Sequence, residues 1–533
     1  MSPAPASTAT GQPGGPEQYP DKIDGTVLKV AGVVVLGSIM SILDITVVNV
    51  ALPTFAVEFS SDPSTPLPYS TVAWTITAYT LALATVIPLT GWAADRFGTK
   101  RLYMLALALF TVGSALCATA DSIGMLILFR VLQGLGGGML MPLGMTIMTK
   151  AAGPARMGRL MAILGVPMLL GPIFGPILGG WLIDHYSWHW IFLINVPLGF
   201  VAILYAWLAL AKDRPEPSES FDVIGMLLMS PGLALFLYGI SSIPGEGTFF
   251  SVKVGVPATI GVIMMLAFVL YSFRPKHPLL DLRLFTIRNY SAAAITMFLF
   301  AASFFGALFL VPTYFQLVRG ESPVDSGWLV AAQGVGAMVT MPIAGALADR
   351  FPVGRIVPFG LILIVGGMFA LTQVTATTSY WGYLIPVLFI MGLGMGATMM
   401  PLMTSALKTL KSHQVARGST LLNISQQVAS SIGIAVISVV FTNLVAEKPL
   451  AGPAMATWHD PTIANQMGGQ AGVAVGLEQA AQAFGQTFLV AAILVTLTLI
   501  PAYFLPRRRE VSHLLDDVEG EGPDQGVPAV VVH

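Results

Sequence analysis

One carboxylate lies in a segment that is otherwise almost wholly apolar. Asp44 belongs to the run SILDITVVNVALP (41–53), and of the 27 acidic residues it alone falls in the middle of a predicted membrane span. An ionised carboxylate costs about 2.5–3.5 kcal/mol there on insertion scales, so such residues usually serve a function. Burial favours the protonated form of a carboxyl, so Asp44 could bind either a proton or a cation, but hardly both at the same time. The sequence predicts a proton or cation site at Asp44, with a structural, hydrogen-bonded aspartic acid as the alternative.

Three further polar residues complete the predicted coupling site. Asn49 follows Asp44 by five residues, near the same helix face, where its amide could hydrogen-bond the carboxylate or a substrate. Arg130 is the only basic residue inside a predicted span, so it must face protein or a watery cavity and needs a partner. A purely structural ion pair or a carbonyl-bound arginine is the alternative. Gln133, one turn later, could belong to either arrangement.

Membrane-spanning helices would have to position these residues. The chain has 533 residues, 55% hydrophobic and only 10% charged, with a mean hydropathy of +0.77. Soluble proteins are near 25% charged, so this composition predicts an all-α polytopic membrane protein. At roughly 20 apolar residues a span we predict fourteen, with twelve as the alternative if 222–272 lies in or on the membrane surface. The predicted spans are about 30–53, 71–90, 102–119, 122–146, 157–181, 188–210, 222–241, 252–272, 289–317, 325–347, 354–373, 380–406, 417–443 and 484–505.

The distribution of basic residues predicts the orientation. With both termini cytoplasmic, 22 of the 26 Lys and Arg residues fall inside, Arg130 lies within a span, and only Lys253, Arg319 and Lys448 fall outside. This predicts a multi-pass membrane protein with both termini in the cytoplasm. Its predicted parts are a disordered tail at 1–28, a six-helix half at 29–211, two inserted spans at 212–288, a second six-helix half at 289–506 with an extracellular loop at 444–483, and a cytoplasmic tail at 507–533.

An internal repeat supports this division into halves. The sequence GWAADRFGTKR (91–101) ends span 2, and GALADRFPVGR (345–355) ends span 10. About 40 residues after each, a glycine-rich span leads to Met-Pro, at Met141-Pro142 and at Met400-Pro401. Two six-span halves around a midplane site are the architecture of alternating-access carriers.

Five segments together resemble a known family over roughly residues 28 to 510. They are LDITVVNVALP (43–53), GWAADRFGTKR (91–101), RVLQGLGGG (130–138), GPIFGPILGG (171–180) and WHWIFLINVPLG (188–199). In this order they resemble the fourteen-span drug:proton antiporters of the major facilitator superfamily, the EmrB/QacA type. Two departures are His189, where the family usually has Arg, and Pro352, where the first-half copy of the loop signature has Gly98. Neither affects the predicted fold.

The resemblance implies a function and a location in the bacterial plasma membrane. It implies a proton-coupled antiporter that exports lipophilic or cationic drugs by alternating access, with the proton gradient as energy source and no cofactor. It also implies that Arg130 tunes Asp44, directly or through water. The second half has Leu388 at the place that corresponds to Arg130, so the coupling groups are expected in the first half only.

The loop signatures predict a cytoplasmic latch. Asp95 lies at the C-terminal end of span 2, where the helix dipole disfavours a carboxylate, so it should approach the start of another helix, namely span 13. The resemblance implies that Gly91, Asp95, Arg96 and Arg101 hold the cytoplasmic face shut in the outward-open state. Asp349 and Arg350 would act in the same way toward span 5. Ordinary positive-inside charge is the alternative for the basic residues, although it does not explain Asp95.

Span 5 carries small residues every four positions. Gly171, Gly175 and Gly179 give one smooth face that allows another helix to approach closely, and Pro172 bends the helix. The resemblance identifies this segment as the antiporter motif and favours export over uptake. Candidate contacts to the substrate are Trp74, Tyr314, Gln316 and Asn423.

Other classes of protein are excluded by missing features. No Walker loop is present, the seven His are scattered without metal-ligand spacing, and Cys117 alone can form neither an intrachain disulfide nor a cysteine-based metal cluster. A net charge of −1 gives no field for nucleic acid. The sequence thus predicts no enzyme, metal or cofactor, and as partners a small lipophilic or cationic molecule, protons and membrane lipid. An exporter of an endogenous lipid, siderophore or metabolite, with an envelope partner left open, and a non-transporting membrane sensor are the alternatives.

Overall fold

The computed structural model describes residues 24–60, 67, 69–152, 156–212, 221–246, 248, 250–275, 278–411, 414–458 and 462–508. The tails predicted at 1–28 and 507–533 lie outside this part except for their innermost residues. Within it the chain is helical, with no β-strand among the described residues.

Fourteen long helices are numbered here as the predicted spans. The first half contains α1 (Gly25–Glu58), α2 (Trp74–Phe97), α3 (Thr99–Cys117), α4 (Ile123–Ala152), α5 (Met157–His185) and α6 (Asn195–Ala209). The insertion contains α7 (Val223–Ser241) and α8 (Val252–Ser272). The second half contains α9 (Arg288–Leu317), α10 (Pro323–Arg350), α11 (Val353–Leu371), α12 (Ile385–Lys408), α13 (Val415–Ala446) and α14 (Gln470–Leu497).

Shorter helical segments join or extend these helices. They are Tyr69–Val72, Trp190–Leu193, Ile243–Glu246, the 3₁₀ turn Leu282–Thr286, the π-helical turn Tyr380–Leu384, Ala451–Ala456, Thr462–Gln466 and Leu499–Tyr503.

Length and composition suit these helices to a membrane. Among the described residues, thirteen helices are both long and apolar enough to cross a bilayer. Helix α5, with 29 residues, is about 43 Å long and is also long enough. The predicted all-helical, polytopic membrane fold is confirmed, and the fourteen long helices agree with the predicted number of spans.

Polar caps determine where several helices begin. The Asp24 carboxylate accepts the Val27 N–H at 2.8 Å at the start of α1, and this hydrogen bond lowers the pKa of the Asp24 carboxyl. Asp222 accepts the Gly225 N–H at 2.8 Å at the start of α7. Each cap satisfies a first-turn N–H group that has no partner within its own helix. The start of these helices is therefore encoded locally.

The two halves repeat the same helix packing. In the first half α1 packs on α4, α5 and α6, and α4 packs on α2 and α3; in the second half α9 packs on α12, α13 and α14, and α12 packs on α10 and α11. The interface between the halves follows the same symmetry, since α2 contacts α13 and α5 contacts α10. The repeat seen in the sequence is thus a repeat in the fold.

The inserted helices break this symmetry. Helix α7 packs against both α2 and α13 and so covers one of the two seams between the halves, while α8 packs on the outside of α7. Phe221 packs on Trp92 of α2, with ring centroids 4.4 Å apart, and Ile243 is buried with Val254 and with Ala435 of α13. The insertion is therefore in contact with both halves.

We call the end of the bundle that carries Arg96, Arg101 and Arg350 the basic face, and the other end the opposite face. At the opposite face the stretch 444–483, expected as a loop, is largely helical. Helix α13 continues to Ala446, α14 begins already at Gln470, and two short helices lie between them. The alanine and glutamine content of this stretch is compatible with helix, which explains the difference from the expected loop.

Candidate functional site

Asp44 and Arg130 form a buried ion pair. Asp44 lies in the middle of α1 and Arg130 in α4, and both side chains are fully buried. Arg130 Nη1 donates to Asp44 Oδ2. The expected need of Arg130 for a partner and of Asp44 for a stabilising group is met by the same contact. A buried charge pair of this kind is stable only when further hydrogen bonds satisfy both groups.

Arg130 has additional contacts on α2. Its Nε donates to the Thr75 carbonyl oxygen at 3.0 Å, and its guanidinium carbon lies 4.1 Å from the centre of the Tyr79 ring. The Tyr79 hydroxyl is 3.1 Å from the Ser41 hydroxyl of α1. Among the described residues, Arg130 Nη2 has no hydrogen-bond partner. The guanidinium is thus held on three sides and keeps one unused N–H₂ group.

Gln133 joins the two charges through its amide. Its Oε1 accepts from Arg130 Nη1 at 2.6 Å, and its Nε2 donates to Asp44 Oδ1 at 2.7 Å and to the Ser114 hydroxyl of α3 at 2.6 Å. Because Arg130 can only donate, the amide orientation of Gln133 is fixed. The structure therefore brings Asp44, Arg130 and Gln133 together.

Sequence reasoning missed three residues of this site. Asn195, the first residue of α6, has its Nδ2 at 3.4 Å from Asp44 Oδ1 and at 3.3 Å from Ser114 Oγ. Tyr79 and Ser114 are also fully buried. Asn195 belongs to the segment WHWIFLINVPLG, so its position in a quoted motif was the available signal. Ser114 gave only the weaker signal of a small polar residue within a span.

Asn49 does not join this group. Its side chain is exposed, and its Nδ2 donates to the Ile45 carbonyl oxygen of its own helix at 3.0 Å. Five residues correspond to about 140° beyond a full turn, so Asn49 leaves the face that carries Asp44. The structure does not show the suggested hydrogen bond between the Asn49 amide and the carboxylate.

The glycine face of α5 holds α1 at the level of Asp44. A Cβ atom on Gly171 would collide with Ile42, and one on Gly175 would collide with Thr46. The Thr46 hydroxyl also donates to the Gly171 carbonyl oxygen at 3.1 Å. Gly179 continues the contact along Val47, and the side chain of Pro172 lies outside the described part. The antiporter motif therefore packs directly behind the helix segment that carries the carboxylate.

Two ion pairs connect the halves at the basic face. Asp95 Oδ2, at the end of α2, lies 3.6 Å from Nε of Arg417, the third residue of α13. Asp349 Oδ2, at the end of α10, lies 3.2 Å from Nε of Arg159, the third residue of α5. These contacts are equivalent under the repeat, and each joins a carboxylate to the start of the helix that the sequence suggested.

The other residues of the predicted latch differ in their surroundings. A Cβ atom on Gly91 would lie 3.3 Å from the Arg417 Cα, so glycine permits the close approach of α2 to α13. Arg96 is half-buried in the last turn of α2, whereas Arg101 and Arg350 are exposed.

The candidate substrate residues lie in different surroundings. Trp74 stacks on Tyr238 of the insertion, with ring centroids 5.6 Å apart, and the Tyr314 hydroxyl donates to the Thr375 carbonyl oxygen at 2.6 Å. These two residues make packing contacts outside the Asp44 cluster. Gln316 is half-buried. Asn423 of α13 lies at the interface between the halves, with its Nδ2 3.1 Å from Met145 Sδ.

The cluster consists of one carboxyl and one guanidinium joined by a neutral amide. No group of three or more potential metal ligands occurs among the described residues. At the corresponding place in the second half, Leu388 is fully buried, and Met391 takes the position of Gln133 in the repeat. Among the described residues, the buried pair of Asp44 and Arg130 therefore has no charged counterpart at the equivalent place in the second half.

Comparisons with known proteins agree with this fold. The family model of the Major Facilitator Superfamily matches residues 34–434. The chain is 46% identical over 526 residues, 96% of each protein, to the "Multidrug resistance protein B homolog" of Mycobacterium tuberculosis. It is 30% identical to the "Multidrug export protein EmrB" of Haemophilus influenzae, over 80% of this chain and 83% of that one.

Solved structures share the fold at low identity. The human organic anion transporter MFSD10 matches with a TM-score of 0.56 at 16% identity, over 88% of this chain and 99% of that one. The proton:xylose symporter XylE matches with a TM-score of 0.57 at 13% identity, over 92% and 99%. These likenesses concern the fold alone, whereas the family model covers most of the chain. The chain belongs to the Major Facilitator Superfamily and is a membrane transporter, not an enzyme.

Proposed function

We propose that this transporter is a proton-coupled antiporter that exports lipophilic, and especially monovalent cationic, compounds across the bacterial plasma membrane. The single observation that carries the proposal is the buried ion pair of Asp44 with Arg130 in the first half, at a place where the second half has the buried apolar residues Leu388 and Met391. The names of relatives as multidrug resistance or multidrug export proteins support drugs as the substrate class.

Coupling follows from competition at one carboxyl. When Asp44 is ionised, Arg130 on Oδ2 and Gln133 on Oδ1 stabilise its charge. A proton removes that charge and weakens the pair, whereas a cationic substrate competes for the ionised form. Because proton and substrate oppose each other at the same group, uptake of one promotes release of the other. The proton gradient then supplies the energy, and no cofactor is required.

Alternating access would use the two ion pairs at the basic face. The positive-inside rule supports a cytoplasmic location for this face and for both termini. Asp95 with Arg417 and Asp349 with Arg159 would then close the cytoplasmic side, and their separation would open it. The symmetry of these contacts supports a rocking motion of one half against the other.

The test is transport by purified protein in liposomes with an imposed pH gradient. We expect accumulation of tetraphenylphosphonium, a lipophilic monovalent cation, that requires the gradient and is indifferent to ATP. Undiminished transport after collapse of both the pH and the voltage gradients would disprove proton coupling. If none of the added compounds is transported although the pH gradient is present, the result would instead favour the non-transporting sensor.

A further inference from the structure

Among the described residues, two neutral amides reach the Asp44 carboxylate, and Asn195 is the one that has no hydrogen bond to Arg130. Gln133 is held by Arg130, which donates to its oxygen at 2.6 Å. Asn195 reaches the same carboxylate oxygen from α6, with its Nδ2 at 3.4 Å from Asp44 Oδ1, and it shares the Ser114 hydroxyl as a second partner at 3.3 Å. Its side chain is buried, with 3% exposed, so water does not compete freely for this contact.

The donors at Asp44 act in one direction. Hydrogen bonds donated to a carboxylate favour its ionised form. Arg130 serves Oδ2, and the two amides of Gln133 and Asn195 serve Oδ1. The contact of Asn195 is the longest of those to Oδ1, so a small displacement of α6 weakens it first.

The position of Asn195 gives it a mechanical connection to the opposite face. It starts α6 directly after the short helix Trp190–Leu193. In that short helix Phe192 is fully buried and stacks on Phe55 of α1, with ring centroids 6.4 Å apart. A rearrangement of this aromatic contact would therefore move the Asn195 amide relative to Asp44.

Three other titratable groups surround the carboxylate. Helix α4 contributes Arg130, α2 contributes Tyr79, and α3 contributes Cys117, whose Sγ lies 3.6 Å from Gln133 Oε1. Among the described residues, the groups that α5 and α6 present to this part of α1 are uncharged, namely the glycine face and Asn195. Asn195 is thus the contribution of α6 to the protonation equilibrium.

We infer that Asn195 is a positioning residue that stabilises the ionised form of Asp44 and thereby sets the pH at which the carrier takes up its proton. This inference rests on the proposed function for its biological meaning, but the protonation state of Asp44 can be measured without transport. Neither the family description nor the names of the relatives assigns a role to this residue.

The experiment is infrared difference spectroscopy of the full-length protein in liposomes. The carbonyl stretch of the protonated Asp44 is identified as the band that disappears in Asp44→Asn, and its intensity is followed from pH 4 to pH 9. Asn195→Leu keeps the number and branching of the side-chain heavy atoms but removes the donor. We expect its midpoint to rise by about one pH unit, a tenfold change in the protonation equilibrium. Asn195→Asp places a second carboxyl at the same distance and should raise the midpoint further, because the two groups resist ionising together.

Gln333→Leu is the matched control. Gln333 is also a buried amide with 3% exposed, but it lies on α10, and among the described residues its amide has no hydrogen-bond partner. Its replacement should leave the midpoint unchanged. A midpoint for folded Asn195→Leu equal to that of the wild type and of the control would overturn the inference.

The two proposals can fail separately. A wild-type band that titrates, without transport of tetraphenylphosphonium, would contradict the proposed function and leave the role of Asn195 standing. Transport that is coupled in the wild type, with an identical pH profile in Asn195→Leu, would contradict only the inference. If Asn195→Leu does not fold, Asn195→Asp provides the test, since it is nearly isosteric and must shift the midpoint if the 3.4 Å contact exists.

Discussion

Asp44 and Arg130 should respond differently when each loses its partner. In Asp44→Asn the guanidinium of Arg130 stays buried and charged, because it cannot lose its proton, and all its acceptors are then neutral: the new amide oxygen at position 44, Gln133 Oε1 and the Thr75 carbonyl. In Arg130→Met the Asp44 carboxyl stays buried, but it can avoid the free-energy cost of a buried, unpaired charge by taking up a proton. Breaking a buried pair by removal of one partner costs about 3–5 kcal/mol, so both variants should be destabilised at pH 7.

The pH dependence separates the two variants. An ordinary aspartic acid, with a reference pKa of about 3.9, costs about 4 kcal/mol to protonate at pH 7 and about 1.5 kcal/mol at pH 5. In Arg130→Met the folded state binds one proton that the unfolded chain lacks in this range, so its stability rises as the pH falls. Relative to the wild type, the gain from pH 7 to pH 5 is at most about 2.7 kcal/mol, and it is smaller by any stabilisation that the wild type gains from proton uptake over the same range. In Asp44→Asn the carboxyl is gone, so this variant cannot gain stability by proton uptake at position 44, and its deficit relative to the wild type should not shrink as the pH falls.

The assay is thermal unfolding of the detergent-purified variants at the two pH values and one heating rate, because such unfolding is often irreversible. The unfolding temperature of Arg130→Met should approach that of the wild type at pH 5, while Asp44→Asn should not. The double variant Asp44→Asn with Arg130→Met carries no buried charge and should be more stable than Asp44→Asn alone. Equal deficits of Arg130→Met at both pH values would refute this reasoning.

Three further predictions concern the halves, the helix packing and the substrate. The Thr146 and Ser419 hydroxyls are 3.0 Å apart across the halves, so cysteines at both positions, with Cys117 replaced by alanine, should form a disulfide that stops transport until it is reduced. If the protein with the oxidised cysteine pair still transports, a rocking motion that separates the halves at Thr146 and Ser419 is contradicted. In Gly175→Val the new side chain would collide with Thr46, so most of the transport activity or of the folded protein should be lost. The measurements are the yield of folded protein and the transport rate, each compared with those of a variant substituted at an exposed position. Monovalent cations should be carried at least about tenfold faster than dications, since one buried carboxyl balances one charge; equal rates would exclude Asp44 as the only cation site.

The charged part of the site could be predicted from the sequence because isolated charges in apolar spans are rare. Asp44 and Arg130 each lacked a partner in sequence, and the structure shows that each is the partner of the other. Asp95 was assigned to the start of span 13 by the same reasoning about charge, and it lies beside Arg417 there. The surroundings of these charged residues are predictable because few environments within a membrane protein stabilise a buried charge.

The neutral part of the site could not be predicted in this way. Ser114 and Asn195 are polar but uncharged, and a hydroxyl or amide in a span can bond to its own helix as Asn49 does. Which face of a helix turns toward Asp44 depends on packing among several helices, which the spacing within one helix does not determine. The contact of Trp74 with Tyr238 depends in the same way on where the insertion packs.

The most direct test of the central claim is the initial rate of substrate-induced proton release from liposomes, measured at several pH values with protein amounts matched. The wild type should release protons when tetraphenylphosphonium is added, and Asp44→Asn should release none while it still inserts and binds neutral compounds. Asp44→Glu should retain part of the rate with a shifted pH optimum, because it keeps a titratable group. Wild-type proton release by Asp44→Asn would contradict the account and leave the family membership as a statement about fold alone.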